Sequence, residues 1–214
     1  MVISYLGGQC FRVSHGDLTL CYNPPGKDST LKSIKFGSDI VLSSQNHPDF
    51  NGIEFASFGE REPFVIAGPG EYEVKGVAVR GFASDSNYGG PSTKLGTGKK
   101  SINTIYSVTL EGMNLCFLGA LGSTTLPPAA KEALDDIDIL FVPIGGKGML
   151  DYGDAEALAV QLEPKAVIPM HYSAETLKLF LKEAGAEGTK PQEKLTVKRK
   201  DLEGKEGEII VLAA

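Results

Sequence analysis

Short apolar runs rich in β-branched residues recur along this chain, and two of them stop at polar residues that could bind a metal. The run at 39–43 leads into His47 and Asp49, and the run at 166–170 ends at His171. Such runs are typical of buried strands, and a strand in an α/β protein can deliver the residue at its end to the mouth of an active site. Because the 214 residues include only three histidines, His47 and His171 are the first candidates for metal ligands.

The order of the predicted elements indicates a mixed α/β protein with layered sheets. Strand patterns dominate the first part, with a hairpin at 9–22 and further strands at 64–66 and 71–83. The stretch 84–100 is rich in Gly, Ser, Asn, Lys and Thr and is predicted to be a long loop, which could act as a lid. Strand and helix patterns alternate later in the chain, which is typical of layered α/β folds.

Helix signals are clearest near the C-terminus. A helix is predicted at 154–162, and Ser173 is a suitable N-cap for a second helix, which Gly185 would end. The last segment, 195–211, is predicted to form a terminal hairpin. The length suits one domain covering 1–214, with two sandwich halves at roughly 1–110 and 111–214.

Composition excludes several classes of partner. The net charge of −6 makes nucleic acid a poor partner, because binding a phosphate backbone needs a basic surface. The N-terminus has no signal-peptide pattern, and no apolar run approaches membrane-spanning length. The three cysteines are widely spaced in apolar segments, which is typical of reduced thiols, so we expect a cytoplasmic protein.

The loop around His47 has candidate ligands at alternate positions. A loop of this kind can direct an imidazole nitrogen and a carboxylate oxygen at one point, and both suit Zn, Fe or Mn. His47 and Asp49 alone could equally be hydrogen-bonded turn residues, so the residues themselves leave both interpretations open.

The loop nevertheless resembles the T-H-x-H-x-D-H signature of the metallo-β-lactamase superfamily. Further segments resemble the same superfamily in the same order, in particular its small Zn-dependent, lactonase-like hydrolases. These segments are Gly7-Gly8-Gln9-Cys10-Phe11, Gly68-Pro69-Gly70-Glu71-Tyr72-Glu73, Leu118-Gly119-Ala120-Leu121-Gly122-Ser123, Val142-Pro143-Ile144-Gly145-Gly146 and Ile168-Pro169-Met170-His171-Tyr172. The resemblance implies a four-layer αββα sandwich with metals at one edge, between the sheets.

Three residues match metal ligands of that family. His47 falls on the second His of the signature, Asp49 falls on its Asp, and His171 falls on the family's final His. The resemblance therefore implies that these three residues form the metal site, with Asp49 and His171 as the candidate catalytic residues.

Other ligand positions carry different residues. Gln45 and Phe50 stand where the signature has its first and last His, and Ala120 stands where the bridging Asp would be. Phe and Ala cannot coordinate a metal, and a neutral Gln oxygen is a weak ligand for Zn. Ser84, Asp85 and Ser123 complete the predicted pocket: Ser123 takes a His position, and Ser84 stands where a His commonly precedes the Asp aligned with Asp85.

These replacements predict a depleted metal site that holds either no metal or one divalent ion, of which Zn is the first choice. The first hypothesis is a weakly active or non-catalytic member that binds a small molecule in the cleft. The second is a hydrolase of a lactone, ester or phosphoester that uses one metal held by His47, Asp49 and His171.

Two further alternatives stay open. Ser84 or Ser123 could form a Ser-His-Asp arrangement with His171 and Asp49. The cleft could also be vestigial, with a homo-oligomer surface carrying the function.

Overall fold

The computed structural model describes residues 1–59, 62–90 and 101–214. Within these residues the strands form two sheets, which lie against each other with apolar side chains between them. The first sheet has the strand order β12-β1-β2-β3-β4-β5, and the second has the order β13-β11-β10-β9-β8-β7-β6.

The first sheet begins with an antiparallel meander and continues with parallel strands. Its strands are β1 (Val2–Tyr5), β2 (Phe11–His15), β3 (Leu18–Tyr22), β4 (Ile40–Leu42), β5 (Phe64–Ile66) and β12 (Leu195–Thr196). Strand β4 pairs in parallel with both β3 and β5, and it is buried along its whole length. This continuous apolar run suits a strand that is covered on both faces.

The second sheet combines a long antiparallel hairpin with parallel strands that end near the site. Its strands are β6 (Gly70–Val74), β7 (Val77–Ser86), β8 (Ser101–Leu110), β9 (Met113–Phe117), β10 (Ile139–Pro143), β11 (Ala166–Met170) and β13 (Glu208–Ile209). Strand β10 pairs in parallel with β9 and β11, and all five residues of β10 and of β11 are buried.

Three α-helices follow in the later part of the chain: α1 (Pro128–Ala133), α2 (Tyr152–Leu162) and α3 (Ala174–Glu183). They cover the outer face of the second sheet through an apolar cluster that includes Leu140, Leu158 and Phe180. The outer face of the first sheet is instead covered by connecting segments and a 3-10 helix (Ile53–Phe55), which pack on Cys21 and Val41.

The two-sheet α/β sandwich of the expected four-layer αββα fold is therefore confirmed, and the outer layer on the first sheet consists of connecting segments and a 3-10 helix instead of α-helices. The N-cap at Ser173 is also confirmed, because its side chain accepts a hydrogen bond from the Thr176 amide at 3.2 Å. The predicted helix at 154–162 begins slightly earlier, at Tyr152, because the Asp151 side chain accepts hydrogen bonds from the Gly153 and Asp154 amides.

Two local predictions are wrong. The segment 195–211 does not form a hairpin, because β12 pairs with β1 in the first sheet while β13 pairs with β11 in the second. Ser84 and Asp85 do not begin a loop, because β7 extends to Ser86 in register with β8. Residues 91–100 of the predicted loop lie outside the described residues. The interpretation of the loop as a lid, which depends on them, stays a prediction.

The strands of the two sheets are not divided along the chain at the boundary of the two predicted halves, near residue 110. Strands β6, β7 and β8 belong to the second sheet although they precede residue 111, and β12 belongs to the first sheet although it follows that residue. No helix in the part of the chain that the structure describes is long and apolar enough to cross a membrane.

Candidate functional site

The candidate site lies where β4 of the first sheet and β11 of the second sheet end. The segment after β4 carries His47, Asp49 and Phe50, and His171 follows directly after the last residue of β11. The rings of Phe50 and His171 lie 6.1 Å apart, centre to centre. Two segments more than 120 positions apart in the sequence are thus brought together at one edge of the sandwich, as their strand-end positions predict.

The backbone at His171 is held in a conformation that non-glycine residues seldom adopt. Its φ angle is +53°, and its amide donates to the carbonyl of Gly8 at 2.7 Å. Gly145 packs so closely that a Cβ atom there would overlap the carbonyl oxygen of His171. The strained angle is therefore fixed by neighbours from both sheets, and such fixed strain is typical of functional positions.

Burial lowers the pKa of His171 to about 4, although the nearby carboxylate of Asp49 opposes the shift. The imidazole of His171 is therefore neutral at pH 7, with one nitrogen able to accept a hydrogen bond and the other able to donate one.

The carboxylate of Asp49 is engaged by two hydroxyl groups. Ser29 donates to Oδ1 at 2.5 Å, and Tyr88 donates to Oδ2 at 2.5 Å. The backbone amide of Asp49 donates to Nδ1 of His47 at 3.2 Å. Asp49 is also buried, so the two hydroxyls replace the water that this carboxylate would otherwise bind.

Tyr88 lies between the two histidines. Its ring centre is 5.0 Å from that of His47, 5.2 Å from that of His171 and 5.0 Å from that of Phe50. Gly89 follows with a φ of +67° and packs so closely that a Cβ atom there would overlap the His47 ring. Burial, together with the hydrogen bond to Asp49, raises the pKa of Tyr88, so the phenol keeps its proton and remains a donor.

One part of the lining of this region is apolar. Phe50, Ala120 and Met149 form a small buried cluster that packs against Tyr88. Phe50 and Ala120 are fully buried. The two positions at which the resemblance implies a His and a bridging Asp therefore contribute to a hydrophobic contact with the tyrosine ring.

A network of hydrogen bonds between buried polar side chains lies next to the site. Asn23 donates both to Gln9 and to Ser44, at 2.8 Å in each case, and Gln9 donates to the carbonyl of Gly119 at 3.0 Å. Asn103 accepts a hydrogen bond from the amide of Ala120 at 2.8 Å. Since these side chains come from both sheets, the network fixes one sheet edge relative to the other.

Two buried polar atoms at the site have no hydrogen-bond partner among the described residues. They are Oε1 of Gln45 and Nδ1 of His171. Gln45 is only 5% exposed, and its amide nitrogen donates to the carbonyl of Tyr88 at 2.9 Å. Buried polar atoms without a partner are rare in native proteins and commonly mark the place of a water molecule or a ligand.

The contacts that the structure shows for the two predicted pocket serines are made with residues other than the histidines. Ser84 is buried and shares hydrogen bonds with Asn103, while Asp85 is an exposed residue of β7. Ser123 is exposed, and its hydroxyl accepts from the Thr125 amide at 3.1 Å. Neither serine hydroxyl bonds to His171, so the described residues do not assemble a Ser-His-Asp arrangement.

Comparison with known proteins assigns the fold to a family. A model of the β-lactamase superfamily domain matches residues 2–171. The chain belongs to the β-lactamase superfamily. This match covers both strand ends that form the candidate site, and the family resemblance in the sequence is thereby confirmed.

Several known proteins are similar to this chain over most of their length. A UPF0173 metal-dependent hydrolase of Natranaerobius thermophilus is 25% identical over 190 residues, covering 81% of this chain and 84% of the relative. Another, from Bacillus licheniformis, is 27% identical over 201 residues, with 81% and 86% covered. A Thermotoga maritima protein described as a Zn-dependent hydrolase of the metallo-β-lactamase superfamily superposes with a TM-score of 0.71 at 26% identity, with 99% and 97% covered.

The three residues that match family ligands make other contacts in this structure. A catalytic Zn normally has three protein ligands within about 2.2 Å of one point. Here both Asp49 oxygens accept hydrogen bonds from hydroxyls, and the Tyr88 ring contacts both imidazoles. Residues 1–59, 62–90 and 101–214 contain no group of three or more His, Cys, Asp or Glu side chains that could hold a metal ion.

Sequence reasoning missed the residues that most change the site. Tyr88 lies in a stretch rich in Gly, Ser and Asn, where nothing in the local pattern connects it with His47. Ser29, Asn23 and Asn103 were not predicted either, because the residues they contact lie far from them in the sequence. The only signal was a single aromatic residue in an otherwise small and polar segment.

Proposed function

We propose that this superfamily member binds a small uncharged molecule at its cleft and does not act as a two-metal hydrolase. One observation carries the proposal: the Tyr88 side chain contacts His47 and His171 with its ring and Asp49 with its hydroxyl. The same side chain thus engages all three residues that match family ligands. A protonated phenol at this position satisfies Asp49 without any need for a cation.

The chemistry of the ligand follows from the two unpartnered atoms. Oε1 of Gln45 can only accept a hydrogen bond, and Nδ1 of neutral His171 can accept or donate one. The adjoining surface, formed by Phe50, Ala120 and Tyr88, is apolar. These features favour a neutral molecule that has at least one N–H or O–H donor and an apolar body. A small-molecule partner, rather than nucleic acid or membrane, is also consistent with the acidic net charge.

The second candidate function is hydrolysis with a single divalent metal. Its support is that His47, Asp49 and His171 all border Tyr88, and that similar superfamily members are named metal-dependent hydrolases. This function requires the Tyr88 ring to leave its position and Asp49 to release two hydrogen bonds. We place it second because these contacts oppose the change.

Metal titration of the Tyr88→Ala variant separates the two functions. We expect wild-type protein purified without chelator to hold substoichiometric Zn, Mn and Fe, as measured by plasma mass spectrometry. Tyr88→Ala frees Asp49 and the space between the histidines, so we expect calorimetry to show one Zn bound per chain. The double variant Tyr88→Ala/His171→Ala should lose that binding and serves as the matched control.

Activity and ligand binding complete the test. Wild type and His171→Ala are assayed on a panel of lactones, esters and phosphoesters, and both are screened by thermal shift against neutral hydrogen-bond donors. We expect no turnover that depends on His171, and a stabilising ligand whose effect is lost in Gln45→Leu. Stoichiometric metal in wild type, together with hydrolysis that His171→Ala abolishes, would overturn the proposal in favour of the second candidate.

A further inference from the structure

A cavity that none of the candidate-site residues lines lies between the helices and the C-terminal strand. Its volume is about 520 Å³, and it is bordered by the last turn of α2, by α3 and by the segment that leads into β13. This volume lies within the range of about 300–1,000 Å³ that is typical of small-molecule sites. None of the residues that match family ligands lines this cavity.

The inner wall of this cavity is apolar. Val167 and Phe180 are almost completely buried beneath it, and Ala159 and Ala184 form its sides. Val160 lies at its mouth and is 66% exposed, which makes it one of the few large apolar side chains that face solvent. A ligand with an apolar body would remove this surface from water and gain the corresponding free energy.

The rim of the cavity carries only negative charge. Glu156, Glu163 and Glu206 line it, and no Lys or Arg does. The last turn of α2 adds the partial negative charge of a helix C-terminus, which attracts cations.

The nearest cations along the chain are engaged elsewhere. Lys205 pairs with Glu208 at 2.6 Å, and Lys165 pairs with Asp138 at 2.7 Å. None of the three rim glutamates has a salt bridge to a described residue. The rim therefore keeps three carboxylates available for an external cation.

We propose that this cavity is a binding site for an organic ammonium ion that has an apolar body. The ammonium group would lie at the rim near Glu163 and Glu206, and the body would pack on Val167 and Phe180. The charge of the rim and the apolar wall together select this class, because a neutral ligand leaves the rim unused and an anion is repelled.

Binding of 2-phenylethylammonium, measured by amide chemical shifts, tests this proposal. The neutral 2-phenylethanol and the anionic 3-phenylpropanoate are the matched ligands, because all three have a similar apolar body. We expect the ammonium ion to bind about fivefold or more tightly than the alcohol at low salt, as three partly exposed carboxylates allow. The shifts should concentrate at Val160, Ala184 and Gly207, and the preference should weaken as salt is added.

Two variants examine the charge and the space separately. Glu163→Gln/Glu206→Gln should bring the ammonium ion and the alcohol to similar affinity, while the exposed control Glu54→Gln should leave the preference intact. Ala184→Trp fills the cavity from its edge and should abolish binding of both ligands. Tyr88→Ala should not affect this binding, so the result is independent of the proposed function of the cleft.

Three outcomes would overturn the proposal. The first is equal binding of the ammonium ion, the alcohol and the acid by wild type. The second is an ammonium preference that survives in Glu163→Gln/Glu206→Gln. The third is concentration-dependent dimerisation that Ala184→Trp abolishes, since this would assign the cavity to a second copy of the chain.

Discussion

Gly119 shows how closely the two sheets approach each other. Its φ angle is +60°, and a Cβ atom there would lie 2.7 Å from Cβ of Ser44 and would overlap the side-chain oxygen of Asn103. Ser44 follows β4 of the first sheet, whereas Asn103 belongs to β8 of the second. A glycine is therefore needed here for its conformation and for its lack of a side chain.

The variant Gly119→Ala should be strongly destabilised. The positive φ angle costs about 1 kcal/mol for a residue with a Cβ, and the overlap adds about 1–3 kcal/mol. Gly16→Ala is the matched control, because its φ angle is +55° but nothing lies within 4 Å of its Cβ position. Urea denaturation should show a loss of about 1 kcal/mol for Gly16→Ala and at least twice that for Gly119→Ala. Equal losses would mean that the contact with Ser44 and Asn103 carries no free energy.

At the same scale, the sequence predicts some residues of the site and not others. His47, Asp49 and His171 could be singled out because each lies just beyond an apolar run, which is a local pattern. Tyr88 could not be singled out, because its contacts are made with residues 39 and 41 positions earlier and 83 positions later in the chain. The ligand positions were thus visible in the sequence, but the side chain that lies between them was not.

At the scale of elements, strands with local partners were predicted better than strands with distant partners. The hairpin of β2 and β3 has a short turn and an alternating pattern, so its pairing follows from neighbouring residues. Strands β12 and β13 have two residues each and pair with partners in different sheets. A hairpin was the natural prediction for them, because neither contains enough residues to indicate a distant partner.

Asp138 ties together the beginnings of three neighbouring strands. Its side chain is almost completely buried, and it accepts hydrogen bonds from the backbone amide of Asn114 at 2.7 Å and from Lys165 at 2.7 Å. Asn114 lies in β9, Asp138 directly precedes β10, and Lys165 directly precedes β11. Lys165 is the counterion of this buried carboxylate. Its hydrogen bonds to Asp138 and Asp136 raise the pKa of the lysine.

Lys165→Met should therefore lower the free energy of unfolding by about 2 kcal/mol, since it leaves Asp138 buried with one hydrogen bond and no counterion. Lys205→Met is the control, because Lys205 and Glu208 are both about 40% exposed, and it should cost less than about 0.5 kcal/mol. Both values come from chemical denaturation at pH 7. Similar losses for the two variants would contradict the special role of Asp138.

At the scale of the whole molecule, the sandwich is joined by polar contacts as well as by its apolar interior. Tyr106 of β8 lies in the second sheet, yet its hydroxyl donates toward the carbonyls of Ser43 at 2.8 Å and of Ile66 at 3.1 Å, at the ends of β4 and β5. A second fully buried tyrosine, Tyr22 of β3, contacts Phe117 and Phe141 of the opposite sheet. Its hydroxyl has no hydrogen-bond partner among the described residues.

Substituting these two tyrosines distinguishes the contribution of hydrogen bonds to the free energy of unfolding from that of apolar packing. Tyr106→Phe leaves the Ser43 carbonyl buried without its donor, so we expect it to reduce the free energy of unfolding by about 1–2 kcal/mol. Tyr22→Phe removes a hydroxyl that has no partner and should be neutral or slightly stabilising, because the cost of burying that group disappears. Since both residues are fully buried and the change is one oxygen atom in each, differences in packing are small. If denaturation midpoints fell equally in both variants, the hydrogen bonds of Tyr106 would have no part in holding the two sheets together.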